Sequence, residues 1–223
     1  MEKKSLKQSI LFVLLIGSAW GLTEAIVGLN LHNSFQQIAG SLMVGLALFF
    51  IATGWITTRN ILAITGIVIL AGLFKMLDAL LLSVPVNSNS ILNPVFGFFT
   101  QGAGFLVLFG ILKEKGLRTR LLQGMWGGGA ALISALLFPL VLVFTGFPAC
   151  VYAQTRIPLS IMFAPVAIAL SFILVPLGFQ LGEKLNVILS GNQAKEKKSV
   201  PATVVSPLFL VISVVIIVLV RMI

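Results

Sequence analysis

The sequence predicts an all-α integral membrane protein: a six-helix polytopic bundle with a seventh, C-terminal transmembrane helix. Three observations predict it. The 223 residues are 58% hydrophobic and only 9% charged, whereas a soluble domain keeps about a quarter of its residues charged; the mean hydropathy is +1.11. The apolar residues form seven continuous runs, each near the roughly 20 residues that cross ~30 Å of hydrocarbon. They do not alternate over ten-residue segments, so they read as helices rather than barrel strands. Lys and Arg collect in alternate loops, which is the asymmetry that sets membrane orientation.

The first span covers 9–31. Its leading stretch, "MEKKSLKQSILFVLLIGSA", has the basic start, apolar core and small-residue ending of a cleavable leader. The apolar run continues through "WGLTEAIVGLNL" to Leu31, however, and that length predicts a retained helix. Gly17, Gly21, Ala25 and Gly28 form a stripe of small residues that lets another helix approach closely. The second span, 38–58, is followed by a short turn and the third, 61–84, which carries Lys75 and Asp78. "SVPVNSNSILNP" (83–94) leads into the fourth span, 92–112, with Asn93 at its start and Gln101 about two turns further in. The fifth, 121–146, opens on the glycine-rich "QGMWGGGAA" (123–131), suited to close packing. Pro139 in the fifth span, with Pro165 and Pro176 in the sixth (158–182), predicts kinks. Between them "GFPACVYAQTRIP" (146–158) reads as an ordered cap bearing Tyr152, Gln154 and Arg156. The organisation expected is a membrane core over 1–182, a polar cytoplasmic linker over 183–202, and a C-terminal helix over 203–223 whose span, 203–221, faces lipid.

If every span crosses, Lys3, Lys4, Lys7, Arg59, Lys113, Lys115, Arg118, Arg120, Lys184, Lys195, Lys197 and Lys198 share one side. Only Arg156 and Arg221 fall on the other. The N-terminus is therefore expected in the cytoplasm and the C-terminus outside, in the cell (plasma, or inner) membrane. This bias also accounts for the net charge of +9, so no nucleic-acid partner is expected. A single cysteine, Cys150, and a single histidine, His32, leave no metal-ligand set, and no cofactor is expected.

Three charged side chains lie well inside spans: Glu24, Lys75 and Asp78. Each costs a few kcal/mol or more at membrane depth, so such residues face a cavity or a partner. At 1.5 Å per residue, Glu24 and Lys75 stand roughly 22 and 21 Å from the cytoplasmic end, with Asp78 about 4–5 Å further out. Two helices thus bring charges to one level in the outer half of the membrane. Lys75 and Asp78, spaced i, i+3, share a face and can pair. The trio carries one excess negative charge, for Arg156 or a cationic ligand group to balance. Either it is a buried ionic clamp or it contacts a solute. Trp20, one turn below Glu24, supplies an apolar wall. Together with Asn93, Gln101, Tyr152 and Arg156 these residues suggest a small polar pocket opening outward and contacting a small polar or charged solute.

No HExxH, GxSxG, P-loop or Ser/His/Asp pattern is present, so an enzyme is not expected and no catalytic residue is assigned. The small-residue stripe and the outer polar cluster resemble the S components of energy-coupling factor transporters, over spans one to six. The seventh span departs from that pattern. The resemblance implies a substrate-binding membrane subunit with an outward-facing site for a vitamin-like solute. It also implies docking on a transmembrane coupling subunit, partly through small residues of the first helix, with separate ATPases supplying energy. Two alternatives stand beside it: a proton-coupled carrier acting alone, and a membrane assembly or scaffold subunit or lipid-modifying enzyme.

Overall fold

A computed structural model describes residues 5–34, 36–112, 119–149, 159–189 and 202–222. Tyr152 and Arg156 lie outside the described residues, as do Cys150, most of the 113–120 loop and residues 190–201. The chain is an all-α membrane bundle with seven helical stretches long and apolar enough to cross a bilayer. Its elements are α1 (Leu6–Ser34), α2 (Gln36–Thr58), α3 (Ile61–Leu81), α4 (Asn89–Leu112), α5 (Arg120–Leu137), a 3-10 turn (Phe138–Leu140), α6 (Val141–Thr145), α7 (Leu159–Leu189) and α8 (Ala202–Met222).

Local chemistry sets several boundaries. Asn60 caps α3, its side chain accepting from the Leu62 amide at 3.0 Å. Thr119 does the same for α5, accepting from the Leu122 amide at 3.3 Å. Gly146 ends α6 in the left-handed region at φ 77°, where a residue without Cβ is favoured. Pro139 interrupts the fifth span as expected, here as the 3-10 turn that joins α5 to α6. Pro165 and Pro176 sit inside one helix, α7, that continues through both. That helix also extends to Leu189, so 183–189, expected as linker, continues α7 instead. The third span stops at Leu81 rather than at 84, and Ser83 takes a positive φ in the turn that follows.

α2 is the most enclosed helix and α8 the least. α2 packs along α7, α5 packs on α7 and α4, and α1 touches α2, α3 and α8. Glycines set the closest approaches. A Cβ on Gly127 would run into the Ser171 carbonyl and Val175, and one on Gly104 would meet the Ala130 carbonyl oxygen at 2.6 Å. The glycine-rich start of α5 is thus a packing surface against α7. Thr53 of α2 reinforces the α2–α7 seam by donating to the Gly178 carbonyl at 3.0 Å. The core is aromatic through the middle of the bundle, where Trp20, Trp55, Phe98, Phe105, Trp126 and Phe179 are all buried.

Candidate functional site

Glu24 arises from α1, Lys75 and Asp78 from α3. The small stripe of α1 explains how the two helices come so close. Gly17 lies under Leu70, whose Cβ would be 3.0 Å from an added methyl, and Gly21 lies against Phe74. This side of α1 is filled by α3 of the same chain. The part of the stripe at Gly17 and Gly21 is therefore a seam within the bundle and not a free groove for another subunit. Ala25 belongs to a small buried cluster with Phe74 and with Ile217 of α8.

Asp78 is buried and shared between two cations. Lys75 Nζ approaches its Oδ2 at 3.4 Å, which is the i, i+3 pair expected from the spacing. The stronger partner comes from α8. Arg221 donates from Nε to Asp78 Oδ1 at 2.9 Å and from Nη2 to Oδ2 at 2.7 Å. This is the two-pronged geometry in which arginine binds carboxylates best. Both side chains are almost wholly buried, 3% and 2% exposed. Arg221 supplies a counter-charge of the kind expected from Arg156, which lies outside the described residues, or from a cationic ligand group. The C-terminal helix is peripheral as expected, yet it delivers a charge to the cluster. Asp78 is thus matched by two cations, Lys75 and Arg221.

Glu24 is also buried, and its Oε2 makes no hydrogen bond to the described residues. Its neighbour Ala25 clusters with Phe74 and Ile217, which lie one turn before Asp78 and Arg221. One further atom of the cluster is unsatisfied among the described residues: Nη1 of Arg221.

One turn below Glu24, Trp20 is fully buried between Phe50 and Phe98, with ring centroids 6.5 and 5.0 Å away. Trp20 is thus packed within the aromatic core. Phe98 belongs to α4, which also carries Asn93 and Gln101. Both are buried. Asn93 donates from Nδ2 to the Pro148 carbonyl at 3.1 Å, tying α4 to the segment after α6. A carbonyl can only accept, so this bond fixes the amide orientation and leaves Asn93 Oδ1 as the unsatisfied atom. Trp20 Nε1 and Gln101 Oε1 are likewise buried without partners among the described residues. Thr100, beside Gln101, is satisfied by Ser134 Oγ of α5 at 3.0 Å.

The structure brings Glu24, Lys75 and Asp78 into one cluster, and Trp20, Asn93 and Gln101 into the enclosed part of the bundle. Asn30 and His32 lie on α1, but their side chains are not among those described. Among the described residues no group of His, Cys, Asp and Glu could hold a metal ion. Arg221 is the residue of the cluster that the sequence did not point to. Its one signal is that it stands alone as a charge in the last turn of an otherwise apolar span, at the end of the bundle where Asp78 sits.

Comparison of the chain with family models, curated proteins and solved structures gives no significant match.

Proposed function

We propose that this protein binds a small polar or charged solute within the outer half of its helix bundle. It would act as the substrate-binding component of an uptake system. The observation that carries this reading is that the buried polar atoms without partners among the described residues, which also occur elsewhere in the bundle, include Trp20 Nε1, Glu24 Oε2, Asn93 Oδ1 and Gln101 Oε1. Buried polar groups are ordinarily hydrogen-bonded, and each left unsatisfied costs about 1–3 kcal/mol. Four such atoms on α1 and α4 are readily understood as groups that water occupies at rest and a solute engages on binding. Glu24 is the principal contact, Trp20 the wall, and Lys75 a neighbouring donor. Tyr152 and Arg156 belong to the segment that follows α6 and are retained as contacts from that side.

Movement of the solute calls for energy from elsewhere, because the sequence has no nucleotide-binding loop. The partners in this reading are a transmembrane coupling subunit and ATPases. Radiolabelled uptake with and without such partners tests it. Loss of uptake in Glu24→Gln and Lys75→Met is expected, and unchanged uptake in both would contradict it.

A second reading, a structural clamp, is favoured by one observation: the two-pronged, desolvated contact between Arg221 and Asp78. It applies to that pair. The two readings divide the cluster, with Asp78 and Arg221 fastening α8 to α3 while Glu24 is left for a ligand.

A further inference from the structure

α8 is the least enclosed of the spans, and its sequence gives it a bending point. Pro207 lies inside it, near its start. The proline removes the backbone bond to the Thr203 carbonyl, which is where a helix bends. Beyond that point Ser213, Ile217 and Arg221 are its buried side, each one turn from the next. Lipid chains are as apolar as such a helix, so docking its apolar face has little hydrophobic driving force in a bilayer. The specific fastening is the two-pronged bond from Arg221 to Asp78.

That bond can open without stranding either charge. Asp78 keeps Lys75, which comes from its own helix. Asp78 lies in the last turn of α3 and Arg221 in the last turn of α8. Long basic side chains at helix ends reach into the headgroup layer. Arg221 thus has a second place to go, and its Nη1, buried without a partner among the described residues when docked, is satisfied there. A buried ion pair gains little over its separated, solvated members, so the docked and released positions of α8 lie close in free energy. Glu24 stands where α8 closes the bundle. It is three residues from Gly21 and seven from Gly17, both of which meet α3, so it is on the α3 side of α1. Ala25 beside it packs with Phe74 of α3 and Ile217 of α8.

We infer that α8 is a gate helix: it bends at Pro207, releases Arg221 from Asp78, and opens a lateral entry from the outer leaflet to Glu24. Such an entry admits an amphiphilic solute, with a polar head and an apolar body, that partitions into the leaflet before it binds. The inference rests on the proposed solute-binding role and adds its route of entry.

The test uses full-length protein in lipid nanodiscs, with Cys150→Ser and cysteines placed at Leu80 and Leu219, two exposed positions on α3 and α8. Spin labels on the pair report the α3–α8 separation by double electron–electron resonance. Two separations are expected, and Arg221→Met should shift the ratio roughly threefold or more toward the longer. A single short separation in both proteins would overturn the gate. In a second arm the two cysteines are joined by a flexible bis-maleimide. Labelling of Glu24 by dicyclohexylcarbodiimide, a lipid-soluble carboxyl reagent, is then followed by mass spectrometry. Joining is expected to cut labelling roughly fivefold, and a water-soluble carbodiimide should label less than the lipid-soluble one. Equal labelling of joined and unjoined protein would overturn the gate, and stronger labelling by the water-soluble reagent would overturn the lateral route. This arm keeps Arg221, so it decides even if Arg221→Met does not fold. Neither arm uses a solute, so these failures leave solute binding intact. A gate that opens in a protein retaining no small molecule by native mass spectrometry would remove the binding role alone.

Discussion

Asp78 and Glu24 are both carboxylates at membrane depth, but their surroundings assign them different work. Asp78 accepts from two cations, and removing one partner from a buried pair is strongly destabilising. Arg221→Met is therefore expected to lower unfolding stability by about 3 kcal/mol, measured by thermal or denaturant unfolding in detergent. Asp78→Asn combined with Arg221→Met should recover part of that loss, because the uncompensated charge is gone. Glu24→Gln should behave oppositely. Its Oε2 makes no hydrogen bond to lose among the described residues, so stability should hold or rise while solute binding falls. The i, i+3 pairing of Lys75 with Asp78 was legible in the sequence, because it depends only on helix geometry. Arg221 was not. A contact between α3 and α8 joins residues far apart in the chain, and no local pattern encodes which helices become neighbours. Asn93 shows the same limit: its place at the outer end of α4 was readable, its bond to the Pro148 carbonyl was not.

At the scale of the helices, spans were readable to within a few residues, because length and hydropathy define them. The deviations have local causes. α7 overran its expected end at 182 since "EKLNVIL" contains no helix breaker and Asn186 donates back to the Ile56 carbonyl of α2 at 2.9 Å, holding that last stretch on the bundle. Glycines announced close packing, but the partner of each was hidden. Gly17 and Gly21 serve α3 and not an external subunit; Gly127 serves α7. These positions differ from Gly110, where an added methyl meets nothing within 4 Å. Gly127→Ala is thus expected to destabilise by about 1–3 kcal/mol through backbone overlap. Gly110→Ala should be neutral or slightly stabilising, as alanine is the better helix former by about 1 kcal/mol. Paired unfolding curves of the two variants check this. α8 holds to α1 and α3 through Ile217, the small buried residues Ser206 and Ser213, and Arg221. Deleting 202–223 should strip Asp78 of its main partner and lower stability without unravelling the six-helix core.

For the whole molecule, the described basic residues near helix ends, Lys7, Arg59, Arg120 and Lys184, stand at the end of the bundle opposite the Asp78–Arg221 pair. That arrangement predicts the cytoplasmic N-terminus. With Cys150 replaced by serine, a cysteine substituted at Lys7 should resist a membrane-impermeant maleimide in intact cells, and one at Asn87 should react. The reverse pattern would invert the topology and put the site on the cytoplasmic side. What the molecule does depends on whether the unpaired atoms of α1 and α4 receive a solute. The most direct measurement is native mass spectrometry of the protein released gently from its own membrane, compared with Glu24→Gln prepared identically. A small molecule bound to the wild type and absent from the variant is the predicted result. A wild-type protein that carries lipid alone, in every release condition, would contradict it.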